Sequence, residues 1–149
     1  MGKKKDSYSK YVQILTCEFR SIVILDRHYV YHTSFFGKND FFRRRMFYVA
    51  HLSEFDLRAT YELINAFIVE LTTLNEKDCL FYFPNLSLYK SLFKEWCSFF
   101  GKEIKFKSRN NNLCKIIIFT HNKELHLIDS YNLLPEISKF IKKKKKEII

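Results

Sequence analysis

Two stretches with the apolar spacing of an α-helix interrupt a chain whose other apolar runs are short and rich in β-branched and aromatic residues. The first stretch places its apolar side chains three or four residues apart, at Leu57, Tyr61, Ile64, Phe67, Ile68 and Leu71. The second is predicted over Leu86 to Phe100, with Asn85 as its amino-terminal cap and Gly101 at its end. Helices set between strand-like runs predict an α/β domain.

The strand-like runs fall into three groups along the chain. An antiparallel meander with a turn at Asp26 to His28 is predicted from the runs Tyr11 to Phe19, Ser21 to Leu25 and Tyr29 to Ser34. A short strand is predicted at Phe47 to Ala50 and another at Cys79 to Phe83. Three further strands joined by polar turns are predicted at Glu103 to Lys107, Leu113 to Thr120 and Glu124 to Ile128.

The positive charge is concentrated in two lysine runs. The formal net charge is +10, and Lys3 to Lys5 and Lys142 to Lys146 supply eight of the positive charges. Such a surplus favours polyanionic partners through phosphate neutralisation, although the body of the domain is only mildly basic. We therefore expect a disordered basic N-terminus over residues 1–10, one domain over 11–141 and a lysine-rich tail over 142–149.

Composition also bears on cellular origin. The frequent residues Lys, Phe, Ile, Tyr and Asn use A/T-rich codons, which fits a mitochondrial gene, with a plastid, plasmid or virus as alternatives. A cleaved presequence is not evident, as for a protein made inside the organelle. No apolar run reaches the roughly 18 residues of a membrane span, so no membrane partner is expected. The four cysteines form no C-x-x-C pair and are interpreted as reduced core residues rather than zinc ligands.

Two segments resemble a known family. They are Tyr48 to Asp56 (Tyr-Val-Ala-His-Leu-Ser-Glu-Phe-Asp) and Leu127 to Pro135 (Leu-Ile-Asp-Ser-Tyr-Asn-Leu-Leu-Pro). Both are similar to segments of the protein-primed family B DNA polymerases, whose 3′→5′ exonuclease domain has a strand ending in a His-Asn-Leu-x-x-Phe-Asp-like loop. About seventy residues later in that family, another strand ends in Asp-Ser-aromatic-x-x-Leu-Pro. Here Asp56 and Asp129 are 73 positions apart.

The resemblance implies a fold and a set of site residues. The implied fold is a ribonuclease H-like mixed sheet flanked by helices, with an extra β-hairpin near the C-terminus. Asp56 would be a catalytic carboxylate and Mg²⁺ ligand at the end of a central strand. The implied nucleic-acid contacts are His51, Ser53, Phe55, Asp129, Ser130 and Tyr131. The family Asn, which touches the single-stranded 3′ end, has no clear match, since Leu52 occupies its place or the Asn is deleted.

Simpler structural roles stay open for both motifs. Asp56 would also serve as the cap of the helix that begins at Leu57, with Phe55 in the core. Asp129 and Ser130 would also form a turn that closes a strand and caps a helix after Pro135.

The carboxylates that the family needs are incomplete in this chain. The family has Asp-x-Glu on its first strand, and none precedes Asp56. Thr16-Cys17-Glu18 is a candidate for a degenerate version, which makes Glu18 a possible second carboxylate; otherwise the first motif lies upstream. A two-metal site needs a cluster of carboxylates. We therefore expect that Mg²⁺ is not bound stably and that the chain alone has no exonuclease activity.

Two functions follow from this sequence. The first is a fragment of the exonuclease domain of a DNA-directed DNA polymerase, which lacks the palm and works with the remaining polymerase segments in DNA replication. The alternative is a degenerate, non-catalytic nucleic-acid-binding module in an organellar assembly such as a ribosome. Single-stranded DNA or another nucleic acid is the expected partner in both. Lys142, Lys143 and Lys144 would contact phosphates or form a solvated helix end.

Overall fold

The apolar runs pair into one mixed β-sheet. The structure is a computed structural model and describes residues 13–37, 45–48, 57–74, 79–120 and 123–148. In this part of the chain seven strands pair in the order β3-β2-β1-β4-β7-β6-β5. They are β1 (Gln13–Ile24), β2 (Arg27–Phe36), β3 (Arg45–Tyr48), β4 (Cys79–Tyr82), β5 (Glu103–Arg109), β6 (Asn112–Thr120) and β7 (Lys123–Ile128). The helices are α1 (Leu57–Leu74), α2 (Lys90–Phe100) and α3 (Leu133–Ile148).

The predicted meander is present, but its first two runs are one strand. β1 pairs antiparallel with β2, and a bulge between Arg20 and Ser21 shifts the register. A bulge bends a strand without ending it, which explains why two apolar runs belong to a single element. The turn comes one residue earlier than predicted, at Leu25 and Asp26, which have φ values of 51° and 61°. Positive φ at both central residues is the geometry of a two-residue hairpin turn whose twist matches the strands.

Three strands at the centre of the sheet run parallel. β4 pairs with β1 on one side and with β7 on the other, both in parallel. Parallel neighbours require long crossover connections, and the chain supplies them through α1 before β4 and through α2 before β7. The carboxyl ends of β4 and β7 therefore lie side by side, next to the middle of β1.

The helices cover both faces of this sheet. α1 and α2 pack on one face, where the largest fully buried side chains include Phe35, Phe67, Phe81, Phe93 and Trp96. α3 packs on the opposite face through Ile137, against Leu80 and Ile128. The predicted mixed sheet flanked by helices is thus confirmed, as is the late β-hairpin, formed by β5 and β6.

The helix ends differ in detail from the prediction. Gly101 ends α2 with a left-handed φ of 63°, as expected. Asn85 makes no side-chain capping bond, because a 3₁₀ turn (Leu86–Tyr89) comes before α2. α3 begins at Leu133 rather than Glu136, and it continues through the lysine run. None of the helices in the described ranges has the length and apolar character needed to span a bilayer.

Candidate nucleic-acid interface at the carboxyl end of the parallel strands

The carboxyl ends of β4 and β7 lie level with each other beside β1. Tyr82, the last residue of β4, pairs with Thr16 on one side and with Ile128, the last residue of β7, on the other. Open α/β sheets bind ligands outside the carboxyl ends of their parallel strands. We call this region, with the residues that follow Tyr82 and Ile128, the carboxyl end of the sheet.

β1 presents one carboxylate here, and an arginine accompanies it. Phe19 points into the core, where its ring lies 4.8 Å from that of Phe83 and 5.1 Å from that of Phe67. Because strand side chains alternate, Glu18 and Arg20 lie together on the opposite face. The Nε of Arg20 donates to the Oε1 of Glu18 over 3.4 Å, and both side chains are about half exposed (53% and 41%).

The end of β4 is joined to β1 through a buried tyrosine. The hydroxyl of Tyr89 donates to the carbonyl oxygen of Phe19 over 3.3 Å and lies 3.5 Å from the Oγ of Ser21. Burial raises the pKa of the Tyr89 phenol; the hydrogen bond with Ser21 opposes this effect, and the negative charge of Glu18 adds to it. The phenol therefore stays protonated and acts as a structural donor, which fixes the start of α2 against β1.

Asp129 and Ser130 close β7 and bond to β6 and to the segment that follows β4. Asp129 is buried, and its backbone N–H donates to the carbonyl oxygen of Cys114 over 2.9 Å. Ser130 is exposed, and its Oγ donates to the carbonyl oxygen of Pro84 over 3.3 Å. The strand-closing turn that the sequence allowed is formed, and Tyr131 lies in the 3₁₀ turn (Ser130–Asn132) that leads to α3.

The other predicted site residues are not gathered here by the described structure. His51, Ser53, Phe55 and Asp56 lie outside the described residues. The strand that precedes them, β3, pairs with β2 at the edge of the described sheet, so the expectation of a central strand before Asp56 is wrong. Lys142 and Lys143 are exposed on α3, and Lys144 also belongs to that helix.

The described carboxylates at this end do not fit a two-metal site. Glu18 forms an ion pair with Arg20, whose positive charge would repel a cation. Asp129 is buried where its segment closes a strand. Across the described ranges, His, Cys, Asp and Glu side chains form no group of three or more that would hold a metal ion. The described polar groups at this end, Arg20, Asn85 and Ser130, are able to hydrogen-bond a polar ligand.

Sequence inspection missed Asn85, Tyr89 and Arg20 as residues of this region. Asn85 is exposed three residues after the end of β4, with Leu86 buried beside it. The sequence did contain a signal for Asn85. The family motif has an Asn-Leu pair, and such a pair follows the apolar run Cys79 to Phe83, whereas no Asn follows His51. No local signal distinguished β4 from β3 as the central strand, since both are four residues long.

An antiparallel meander, two parallel strands beside its first strand and helices on both faces define a ribonuclease H-like α/β domain. Among solved structures, the chain is similar to phi29 DNA polymerase complexed with primer-template DNA in a post-translocation binary complex, with a TM-score of 0.51. The sequences are 14% identical, and the similarity covers 83% of this chain but 22% of the polymerase chain. At this identity the similarity shows the fold. No protein-family model matches the chain, and neither does any curated protein.

Proposed function

We propose that the chain is an exonuclease-type domain of a DNA polymerase system that binds single-stranded DNA at the carboxyl end of its parallel strands and does not hydrolyse it alone. The observation that supports this proposal is the fold, which is similar to part of a DNA-bound polymerase over 83% of the chain. The segment Asp129 to Pro135, which resembles the family loop, follows β7 at the same end.

The proposal moves the second exonuclease motif to the end of β4. Asn85 and Leu86 would correspond to the family Asn-Leu pair, and Asn85 would contact the 3′-terminal nucleotide. The carboxylate that ends the family motif has no counterpart, because none of the residues Ser87 to Lys90 is acidic. With Arg20 beside Glu18, the domain would retain the DNA contact and lack the metal ligands.

Several predictions from the sequence remain proposals within this function. If the motif instead lies at Tyr48 to Asp56, Asp56 stays the candidate for a vestigial Mg²⁺ ligand. The remaining segments of a polymerase stay candidate partners, since the chain spans 22% of the polymerase to which it is similar. The A/T-biased composition keeps a mitochondrial location as the proposed one, with the ribosome-associated binding module as the alternative setting.

The test combines binding and hydrolysis on the purified chain. We expect fluorescence anisotropy to show binding of labelled single-stranded DNA, and gel electrophoresis to show no shortening of it with Mg²⁺ or Mn²⁺. Asn85→Ala should weaken binding about fivefold, as for the loss of one hydrogen bond of about 1 kcal/mol. Asn65→Ala on α1 is the matched control and should bind like the wild type.

Two results would reject the proposal. One is the absence of any binding to single-stranded DNA at low salt. The other is 3′→5′ degradation that Asp56→Ala or Glu18→Gln abolishes, which would mean that the chain assembles a working metal site.

A further inference from the structure

The outer strand of the late hairpin, β5, has a row of cations on one face. Lys105, Lys107 and Arg109 alternate along β5 and are all exposed, whereas Ile104 and Phe106 turn to the other face and pack against the core. Alternate residues of a strand are about 6.6–6.8 Å apart, so the three charges follow one another along the strand, with a register shift against β6 between Lys107 and Ser108. We call these three residues the β5 row. No carboxylate within the described ranges forms an ion pair with any of them.

The β5 row leads to the carboxyl end of the sheet. Lys107 pairs with Lys115 of β6, which in turn pairs with Ile128, the last residue of β7. Lys107 is therefore level with the end of β7. Arg109 lies two residues further along β5, next to the hairpin turn, at the same end of the sheet as Asp129 and Ser130.

α3 adds cations beside this row. The Nζ of Lys115 donates to Glu136 over 2.9 Å, so the side of α3 that contains Glu136 faces the hairpin. Lys139 and Lys143 follow Glu136 by three and seven residues, a spacing that places them on the same side of the helix. Both are exposed.

Two acidic residues near the row are engaged by other side chains, and a third, Glu103, is exposed on β5 two residues before Lys105. Glu136 is held by Lys115, and Glu124 by the Nε2 of His126 over 2.9 Å. That hydrogen bond lowers the pKa of Glu124, and the positive charges of His126, Lys107 and Lys115 act in the same direction. Apart from Glu103, the exposed charged residues described on β5 and on the Glu136 side of α3 are positive.

We propose that the β5 row, with Lys139 and Lys143, binds the phosphate backbone of single-stranded DNA and guides it to the carboxyl end of the sheet. This inference rests on the proposed function and adds the path of the strand. Charge complementarity selects a polyanion, since a line of unpaired cations neutralises phosphates and releases counterions. Proteins that bind single-stranded DNA with little preference for base sequence use such a basic path along the DNA backbone.

The row also has a competing explanation. Lysines on an edge strand discourage pairing between the edges of two molecules, and β5 is one of the two outer strands of the described sheet. In that case, removal of the charges would cause self-association and leave DNA affinity unchanged. The two explanations therefore predict different outcomes for one variant.

The test uses the full chain and two triple variants with equal loss of charge. The row variant is Lys105→Gln, Lys107→Gln and Arg109→Gln. The control is Arg58→Gln, Lys90→Gln and Lys94→Gln, whose residues are on α1 and α2 across the sheet. Binding of fluorescent oligothymidylate is titrated over a salt series, and circular dichroism and size-exclusion chromatography monitor folding and self-association.

We expect the row variant to lose about tenfold or more in affinity at low salt. Its slope of log affinity against log salt should become less negative by about 2, for three phosphate contacts at about 0.7 each. The control should change both quantities far less. As a second measurement, a two-residue variant, Lys105→Gln with Arg109→Gln, should give an intermediate slope if the triple variant folds poorly.

Several outcomes would overturn the inference. If the row variant binds like the wild type, the path is wrong while the proposed function stands. If the row variant and the control lost equal affinity, the loss would come from the change in net charge and not from the position of the β5 row. Equal affinity of the wild type for polyglutamate would point to an acidic protein, and a preference for duplex DNA would exclude a single-strand path. If the wild type does not bind oligothymidylate at all, the proposed function fails first.

Discussion

At the carboxyl end of the sheet, the neighbours of individual residues decide what chemistry is possible. Glu18 is the one carboxylate that β1 offers on its exposed face, and Arg20, two residues on, forms an ion pair with it. Two metal ions would need several carboxylates, whereas the Arg20 guanidinium next to Glu18 favours a ligand with a negative charge. The same end has an exposed amide at Asn85 and an exposed hydroxyl at Ser130, which are able to hydrogen-bond a ligand.

Leu25 gives a stability prediction at the residue scale. It has a φ of 51° and a side chain that is 97% exposed, so it bears the cost of a left-handed conformation without the benefit of burial. Leu25→Asn should stabilise the protein by about 1 kcal/mol, because asparagine tolerates this conformation and favours such hairpin turns. Urea unfolding followed by the fluorescence of Trp96, the single tryptophan, measures the change.

Leu88→Asn serves as the control for this substitution. Leu88 is also exposed, at 53%, but is not among the residues with positive φ. An equal gain from both substitutions would mean that the effect comes from removing exposed apolar surface, and not from the turn.

At the scale of elements, an ion pair joins α3 to the hairpin. Lys115 of β6 and Glu136 of α3 are each only 13% exposed, and the Nδ2 of Asn132 also donates to the Glu136 carboxylate, over 3.2 Å. The apolar contacts of α3 are made by Ile137 with Leu80 and Ile128, nearer the middle of the sheet. The ion pair therefore orients the helix, and with it Lys139 and Lys143, relative to the β5 row.

Breaking this pair from one side should be costly. Lys115→Met leaves Glu136 as a buried charge without its cation, and we expect a loss of about 3 kcal/mol or more in the free energy of unfolding. Adding Glu136→Leu should restore most of that loss, since an apolar pair of similar size replaces the buried charges. A double-mutant cycle by urea unfolding measures both.

The exposed pair between Arg58 and Glu62 on α1 provides the comparison. Its side chains are 71% and 58% exposed, so Arg58→Met should change stability by less than about 1 kcal/mol. If Lys115→Met cost no more than this, α3 would be held by its apolar contacts alone.

For the whole molecule, the distribution of charge matters more than its total. The net charge of +10 is concentrated at the chain ends, yet the tertiary structure adds a third basic region, in which the β5 row lies beside α3. The lysine run at Lys142 to Lys146 belongs to α3 itself and follows Ile141, which packs against Ile137, Leu80 and Ile128. Removing residues 142–149 should therefore leave the packing of α3 in place.

This gives a prediction for the truncated chain. If the lysine run makes about three to five phosphate contacts, a chain that ends at Ile141 should bind single-stranded DNA with a salt slope less negative by about 2 to 3.5. The titration used for the row variant measures it, with the full chain as the reference. An unchanged affinity and slope would mean that the lysine run is a solvated helix end, and that the domain body carries all the binding.

The sequence by itself determined the elements and the fold class. Helical spacing identified α1 and α2, and Gly101 marked where α2 ends, because these signals depend on residues within a turn or two of each other. The Asp129-Ser130 segment was correctly expected to follow a strand, and the structure places it at the end of β7. The roles of Asp56 and its neighbours remain predictions.

Only the tertiary structure decided which strands are central and which side chains meet. β3 and β4 are equally short, yet one is an outer strand and the other lies between β1 and β7, because strand order depends on how all the helices and strands bury their faces together. The same long-range pairing brings Lys115 to Glu136 and aligns Lys107 with the end of β7. Local sequence patterns predict the type of each helix or strand, but not which helices and strands lie next to it. The candidate DNA-binding surface is formed by residues from different strands and a helix, so the local patterns did not predict it.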